Sequence, residues 1–218
     1  AAEMEEMGGA GGGLKRIALI GPSADDPTVQ AHTYHGTPSS WITLYQSLSS
    51  LLHDVSPSTS IVTARGCDRH ARNTSGFAAA HAAAQEADAV VFVGGLDQSD
   101  EEEDTDRADF QLPGVQIDLI HQLAAIAASR KVPFGVVIYS GGPISEPSLI
   151  ASSDVSTVFW SSYSGQTCIG MAEALLGMTN PSGRLPFTVP LNATQLDSIS
   201  DYSMSFGNGR TYRYLNTT

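Results

Sequence analysis

Eight carboxylates crowd into a stretch of thirteen residues: Asp97, Asp100, Glu101, Glu102, Glu103, Asp104, Asp106 and Asp109, out of 23 acidic residues in the whole chain. Carboxyl groups set this close suggest proton transfer or cation binding. Like charges raise one another's proton affinity, and a carboxyl that keeps its proton near neutrality can act as a general acid. Hard cations also take oxygen ligands, but a calcium loop of the EF-hand type needs a glycine at its sharp turn, and this run has none. The reading from the residues is therefore an acidic loop with a candidate proton donor and no metal. A solvated loop with no chemical role is the plain alternative.

What precedes and follows this run says where it sits. Ala89-Val90-Val91-Phe92-Val93 is a short apolar run that ends at Gly94-Gly95, the pattern of a buried strand breaking into a turn. After it, Leu112-Pro113-Gly114 opens a helical pattern expected from Pro113 to Ser129, with Ile117, Ile120, Leu123, Ala124 and Ala127 on one face. Carboxylates at the carboxyl end of a strand lie where open α/β sheets bind ligands.

The rest of the chain repeats this alternation. Further strands are expected at 15–20, 60–66, 134–139 and 155–160, with a last one at 185–189. Helices are expected from Ser39 to His53, capped by Ser39 or Ser40 and striped by Trp41, Leu44, Leu48, Leu51 and Leu52; from Gly76 to Ala87; from Pro147 to Ser152; and from Ser164 to Leu176. Strands alternating with helices define an α/β three-layer sandwich, with a mainly parallel sheet of five to six strands and helices on both faces. The first 13 residues are a Gly-rich flexible linker, and residues 14–218 form one domain.

Composition narrows the function. A net charge of −12 argues against nucleic acid, which needs a basic face. No apolar run reaches the roughly 20 residues that span a bilayer. Gly21-Pro22-Ser23 after the first strand is not a phosphate-cradling or dinucleotide loop. Ser140 lacks the glycine two positions before it that a hydrolase elbow needs. The six histidines show no metal spacing, and no cofactor is expected. Cys67 and Cys168 are read as two free buried thiols, although one bridge is conceivable. Asn73-Thr74-Ser75, Asn192-Ala193-Thr194 and Asn216-Thr217-Thr218 are glycosylation triplets among only five asparagines, a hint of an extracellular, secreted protein.

Read together, the motifs resemble those of one family. Gly94-Gly95-Leu96-Asp97-Gln98, the Glu run, Asp106-Arg107 and Leu112-Pro113-Gly114 resemble the acidic-loop signature of glycoside hydrolase family 3, in its β-xylosidase and α-arabinofuranosidase branch. Arg16 to Pro22, Tyr34-His35-Gly36-Thr37-Pro38, Gly66-Cys67-Asp68, Gly141-Gly142-Pro143, Phe159-Trp160 with Tyr163-Ser164-Gly165-Gln166, Asn180 to Pro186, and Gly209 to Tyr214 follow in the family's order. The resemblance implies the (α/β)₆-sandwich domain that follows a (β/α)₈ barrel in a retaining, exo-acting β-xylosidase or β-glucosidase of xylan catabolism. The barrel would supply the nucleophilic Asp and this loop the acid/base Glu. Aligning the motifs places that role at Glu101, with Glu103 as alternative. Asp97 and Gln98 become candidate substrate-binding residues, and Asp106 with Arg107 a candidate ion pair pinning the loop. The partners implied are the barrel and an oligosaccharide or glycoside, and the isolated domain is expected to be inactive. Ser164 where proline is usual, Cys168 where a small residue is common, a shortened region after Pro190 and an unusually acidic loop depart from the pattern. They keep open a stand-alone, non-catalytic relative that binds sugar or a protein partner.

Overall fold

The computed structural model describes residues 13–196, 198, 200–203 and 209. Five strands, β1 (Arg16–Ile20), β2 (Ser60–Ala64), β3 (Ala89–Gly95), β4 (Phe134–Tyr139) and β5 (Thr157–Ser161), form one sheet in the order β2-β1-β3-β4-β5. Every pairing is parallel. All five carboxyl ends therefore point to the same rim.

The side chains explain why helices cover both faces. In β1, β3 and β4 alternate residues enter opposite cores. Ala18, Ile20, Val90, Phe92, Phe134, Val136 and Ile138 pack under α2 (Phe77–Glu86) and α3 (Gln116–Arg130), with Leu149 of the short α4 (Pro147–Ala151). Leu19, Val93, Val137 and Tyr139 pack under α1 (Leu44–Val55) and α5 (Ile169–Leu175). The interior strand β4, between β3 and β5, is buried along its whole length, as its unbroken apolar run requires. The three-layer α/β architecture expected from the sequence is the one observed.

Several expectations need correction. Helix α5 starts at Ile169, not Ser164. The first helix does not start at Ser39. It starts at Leu44, where Thr43 and Gln46 form a reciprocal capping box, the T-x-x-Q signal for a helix start. Trp41 lies before the helix, outside its stripe, and Ile42 pairs as an isolated bridge with Thr167. Residues 185–189 form no strand. Pro186 removes one ladder donor there and Pro190 closes the segment, and Leu185 is exposed. The described sheet thus has five strands. Cys67 and Cys168 are both buried and unbonded.

The residues that launch the rim loops sit under tight steric control. Gly95 ends β3 at φ +127°, and a Cβ there would lie 2.0 Å from the Tyr139 carbonyl oxygen. Only glycine fits where β3 and β4 part. The expected linker residues before Gly13, the 210–214 motif and the Asn216 triplet lie outside the described residues. Among the described residues no helix is long and apolar enough to cross a membrane.

Candidate active-site rim

The acidic loop leaves β3 over a buried amide. Gln116, the first residue of α3, is fully buried. Its Oε1 accepts the Gly95 N–H at 2.9 Å, and its Nε2 donates to the carbonyls of Gly95 (2.9 Å) and Arg69 (3.2 Å). One side chain thus satisfies backbone groups from two loops in a site closed to water.

Beside it lies Arg69, from the loop after β2, only 6% exposed. Its Nη1 donates to Asp97 at 2.5 Å, while Nη2 donates to Asp26 at 3.1 Å and reaches Ser23. Two carboxylates from two loops therefore share one buried cation, the arrangement a buried guanidinium requires. Burial alone would raise the Asp97 carboxyl. Hydrogen bonds from the Ser99 amide and hydroxyl, together with the Arg69 charge, outweigh it and hold Asp97 at about 2. Asp26 is held below its ordinary value by the same balance: burial opposes, while Thr28 and Arg69 prevail. Asp100 moves the other way, raised chiefly by burial.

His70 lies beside Asp97 and Asp100, with ring nitrogens 3.4 and 3.2 Å from their oxygens. These three side chains each offer one ligand atom within 4.8 Å of the others, so they are the residues best placed to hold a cation. Arg69 already occupies Asp97, and the histidine ring stands within reach of both carboxylates, so the cluster's oxygens are engaged by protein groups.

Glu101 occupies the centre of the rim. One carboxylate oxygen accepts the Gly141 N–H and the Tyr163 hydroxyl (2.7 Å), and the other accepts the Gly142 N–H (3.0 Å). Arg107 Nε stands 3.9 Å away, and the Glu101 side chain is 16% exposed. The His32 ring donates to the Glu101 carbonyl at 2.5 Å and packs on Tyr163. The Tyr163 phenol is raised well above its usual value, first by burial and then by its hydrogen bond to Glu101 and that group's negative charge. Glu101 therefore joins the loops after β1, β3, β4 and β5. Gly141 and Gly142 permit this approach, since a Cβ on either would come within 3.1 Å of a carboxylate oxygen.

Beyond Glu101 the chain folds back on itself. Thr105 N–H donates to the Glu102 carbonyl at 3.0 Å, and Asp104 takes a left-handed φ of 65°. Glu103 and Asp104 form the corner, and both are exposed. No hydrogen bond or ion pair holds the Glu103 carboxylate among the described residues. The expected Asp106–Arg107 pin is replaced by a different one. Asp106 is exposed, whereas Arg107 turns inward, donating to the Pro143 carbonyl at 2.8 Å and facing Glu101. Burial of its stem beside Glu101 and the 143 loop offers the guanidinium more than a solvated neighbour would.

Asp97 and Gln98 do line a cleft. It measures about 440 Å³ and is also bordered by Thr28, His35, Trp41 and Ser99. The His35 and Trp41 rings meet edge-to-face at 5.8 Å, so Trp41 walls a cleft rather than a core. Gln98 is anchored by donating to the Ala31 carbonyl. A second hollow of about 360 Å³ lies on the other side of the loop, between Arg72, Arg107, Asp109, Gln111 and Glu146. Ser140 is fully buried, donating to the Gly142 carbonyl and accepting from Trp160, so it offers no nucleophile. Arg69, Gln116 and His32 were not singled out from the sequence. The one available signal was Arg69 following Gly66-Cys67-Asp68 in a chain so acidic that a buried cation has ready partners.

The parallel α/β sandwich gathers carboxylates, an amide and aromatic rings on one rim, beside a cleft. The profile of the glycosyl hydrolase family 3 C-terminal domain matches residues 12–214, and the chain belongs to that family. The exo-1,4-beta-xylosidase of Emericella nidulans is 34% identical over 203 residues, covering 91% of this chain and 25% of that protein. Beta-D-xylosidase 1 of Arabidopsis thaliana is 33% identical over 211 residues, covering 92% and 25%. Among solved structures, a GH3 exo-beta-xylosidase bound to a xylobiose aziridine probe superposes with a TM-score of 0.73 at 31% identity, over 80% of this chain and 22% of that one. A GH3 beta-glucosidase of Bifidobacterium adolescentis gives 0.72 at 25% identity, over 91% and 29%. The chain spans about a quarter of the length of these curated relatives.

Proposed function

We propose that this domain serves a retaining, exo-acting glycoside hydrolase of the β-xylosidase or β-glucosidase type and supplies the acid/base carboxylate to a (β/α)₈ barrel. Such enzymes need two carboxyl groups about 5 Å apart, one a nucleophile and the other first a proton donor and then a base. The barrel would bring the nucleophilic Asp. Of the two candidates in the acidic loop, Glu103 suits the proton-transfer role better than Glu101. Three donors, Gly141, Gly142 and Tyr163, hold both oxygens of Glu101, and it cannot reach a leaving oxygen without breaking those bonds. Glu103 stands free at the corner of a closed turn. Covering that turn with a second domain would remove water from it, a condition that favours a protonated carboxyl among other anions.

The observation that carries this reading is the free carboxylate of Glu103, presented at the strands' carboxyl rim of a family 3 domain. The cleft walled by Trp41, His35, Asp97 and Gln98 is of a size and chemistry to border a sugar ring. A xylan-derived oligosaccharide is the substrate class that the relatives' names support. In the two-domain enzyme, Glu103→Ala should lower kcat by about 10²–10⁴-fold, with partial recovery by azide. Unaltered turnover of Glu103→Ala would remove the residue from the reaction. The 218-residue chain alone should not cleave aryl xylosides, and cleavage at enzyme-like rates would overturn the shared-site reading.

Secretion fits the same picture. Asn73 and Asn192 are exposed, and the Asn192 Oδ1 accepts both the amide and the hydroxyl of Thr194. Both asparagines should carry glycan after passage through a eukaryotic secretory pathway, a mass increment that glycosidase treatment would remove.

A further inference from the structure

We propose that Glu101 is a positioning residue, the pin that holds the Glu102–Thr105 turn against the rim so that Glu103 is presented in one place. For its catalytic consequence this rests on the function proposed above, but the pin itself is a property of this chain. Three donors fill the Glu101 carboxylate, and they come from two different loops: Gly141 and Gly142 after β4, and Tyr163 after β5. A third loop grips the same residue by its backbone, through the His32 ring. Arg107, two residues past the turn's end at Thr105, closes the far side by standing near Glu101 and donating to Pro143. The turn therefore leaves the domain surface between two fixed points, Glu101 and Arg107. A short closed turn between two fixed ends has little freedom, and a proton donor misplaced by about 1 Å costs on the order of a hundredfold in rate.

The contrast between the two glutamates is chemical as well as geometric. Glu101 acts through others and touches no reacting atom, so its loss should impair presentation without removing the proton donor. A proton donor replaced by alanine leaves room for a small anion to act in its place; a lost pin does not.

The test has two arms. In the 218-residue chain, amide hydrogen exchange at Gly141 and Gly142 is compared in wild type, Glu101→Ala and Glu103→Ala. Charge-assisted bonds of this type protect their donors, so Glu101→Ala should speed both amides by about tenfold or more, while Glu103→Ala leaves them unchanged. In the two-domain enzyme, Glu101→Ala should lower kcat without rescue by azide and without moving the pH profile's acid-group limb, and Glu101→Gln, which keeps one acceptor oxygen, should recover part of the loss. Unchanged exchange at both glycines in Glu101→Ala would overturn the pin. Azide rescue of Glu101→Ala would make Glu101 the donor and overturn the positioning role. Faster exchange with wild-type hydrolysis in both Glu101→Ala and Glu103→Ala would uphold the pin as structure and sink the proposed acid/base function instead.

Discussion

Residues 97–101 and residues 102–106 belong to one acidic loop and differ in how their charge is met. In the first half, Asp97 lies against Arg69, Asp100 beside His70, and Glu101 in a nest of donors from neighbouring loops. In the second half, Glu102, Glu103, Asp104 and Asp106 are exposed, and no hydrogen bond or ion pair of their side chains is seen among the described residues. The first half uses its carboxylates to bind the rim together. The second half leaves its carboxylates available. Seven acids in sequence look alike, but partners divide them into mortar and tool.

The comparison is tested hardest at Arg69. If the held half is structural, removing its cation should leave Asp26 and Asp97 facing each other without compensation. Arg69→Ala is expected to destabilise the domain by about 3 kcal/mol, at the lower end for breaking a buried pair because both carboxylates keep some contact with water. Urea unfolding would read the loss. A midpoint equal to wild type would mean that the two carboxylates find other partners and that the held half is not held by charge.

Much of this division was out of reach of the sequence. The alternation of apolar runs and helical stripes, Gly95 ending β3, and Pro147 opening α4 were legible because each depends on its immediate neighbours. The strand at 134–139 was legible to the residue. The start of the first helix was missed because Ser39 and Ser40 offered caps before Thr43, and only Gln46 three residues later tells them apart. The roles of Glu101, Arg107 and Arg69 depend on partners 28 to 69 residues away in the chain. Nothing in local spacing encodes such distances. The expected pairing of Asp106 with Arg107 failed for a related reason: adjacency in sequence was taken for adjacency in space, while the guanidinium had the half-buried Glu101 carboxylate and the Pro143 carbonyl within reach.

Acid should dissolve the held half before the rest. Asp97 titrates at about 2, below its ordinary 3.8, and Asp26 is lowered as well. A carboxylate with a depressed folded value stabilises the domain fully above its unfolded value, and this is lost as pH falls through the folded one. Stability should therefore decline between about pH 4 and pH 2, with Asp97 contributing roughly 1–2 kcal/mol after allowance for its partial exposure. Asp100 and Glu146, raised chiefly by burial, act in the opposite sense and give back stability as they protonate at higher pH. Thermal unfolding from pH 6 to pH 2 of wild type and Asp97→Asn would separate them: the variant should lose the steepest part of the acid limb. Identical limbs would show that Asp97 is not anchored by charge.

The smallest effects are expected where the two halves meet. Tyr163→Phe removes one donor from Glu101 and keeps the ring's packing on His32, so it should cost about 1 kcal/mol. Glu103→Gln lies only two residues further along the loop from Glu101, yet it should change stability by less than about 0.5 kcal/mol, because an exposed carboxylate without a partner contributes little to the fold. The pair of urea titrations asks whether the boundary between mortar and tool falls between residues 101 and 103. Equal losses in the two variants would place the turn inside the held half, and the free carboxylate of Glu103 would then be a structural contact still to be found.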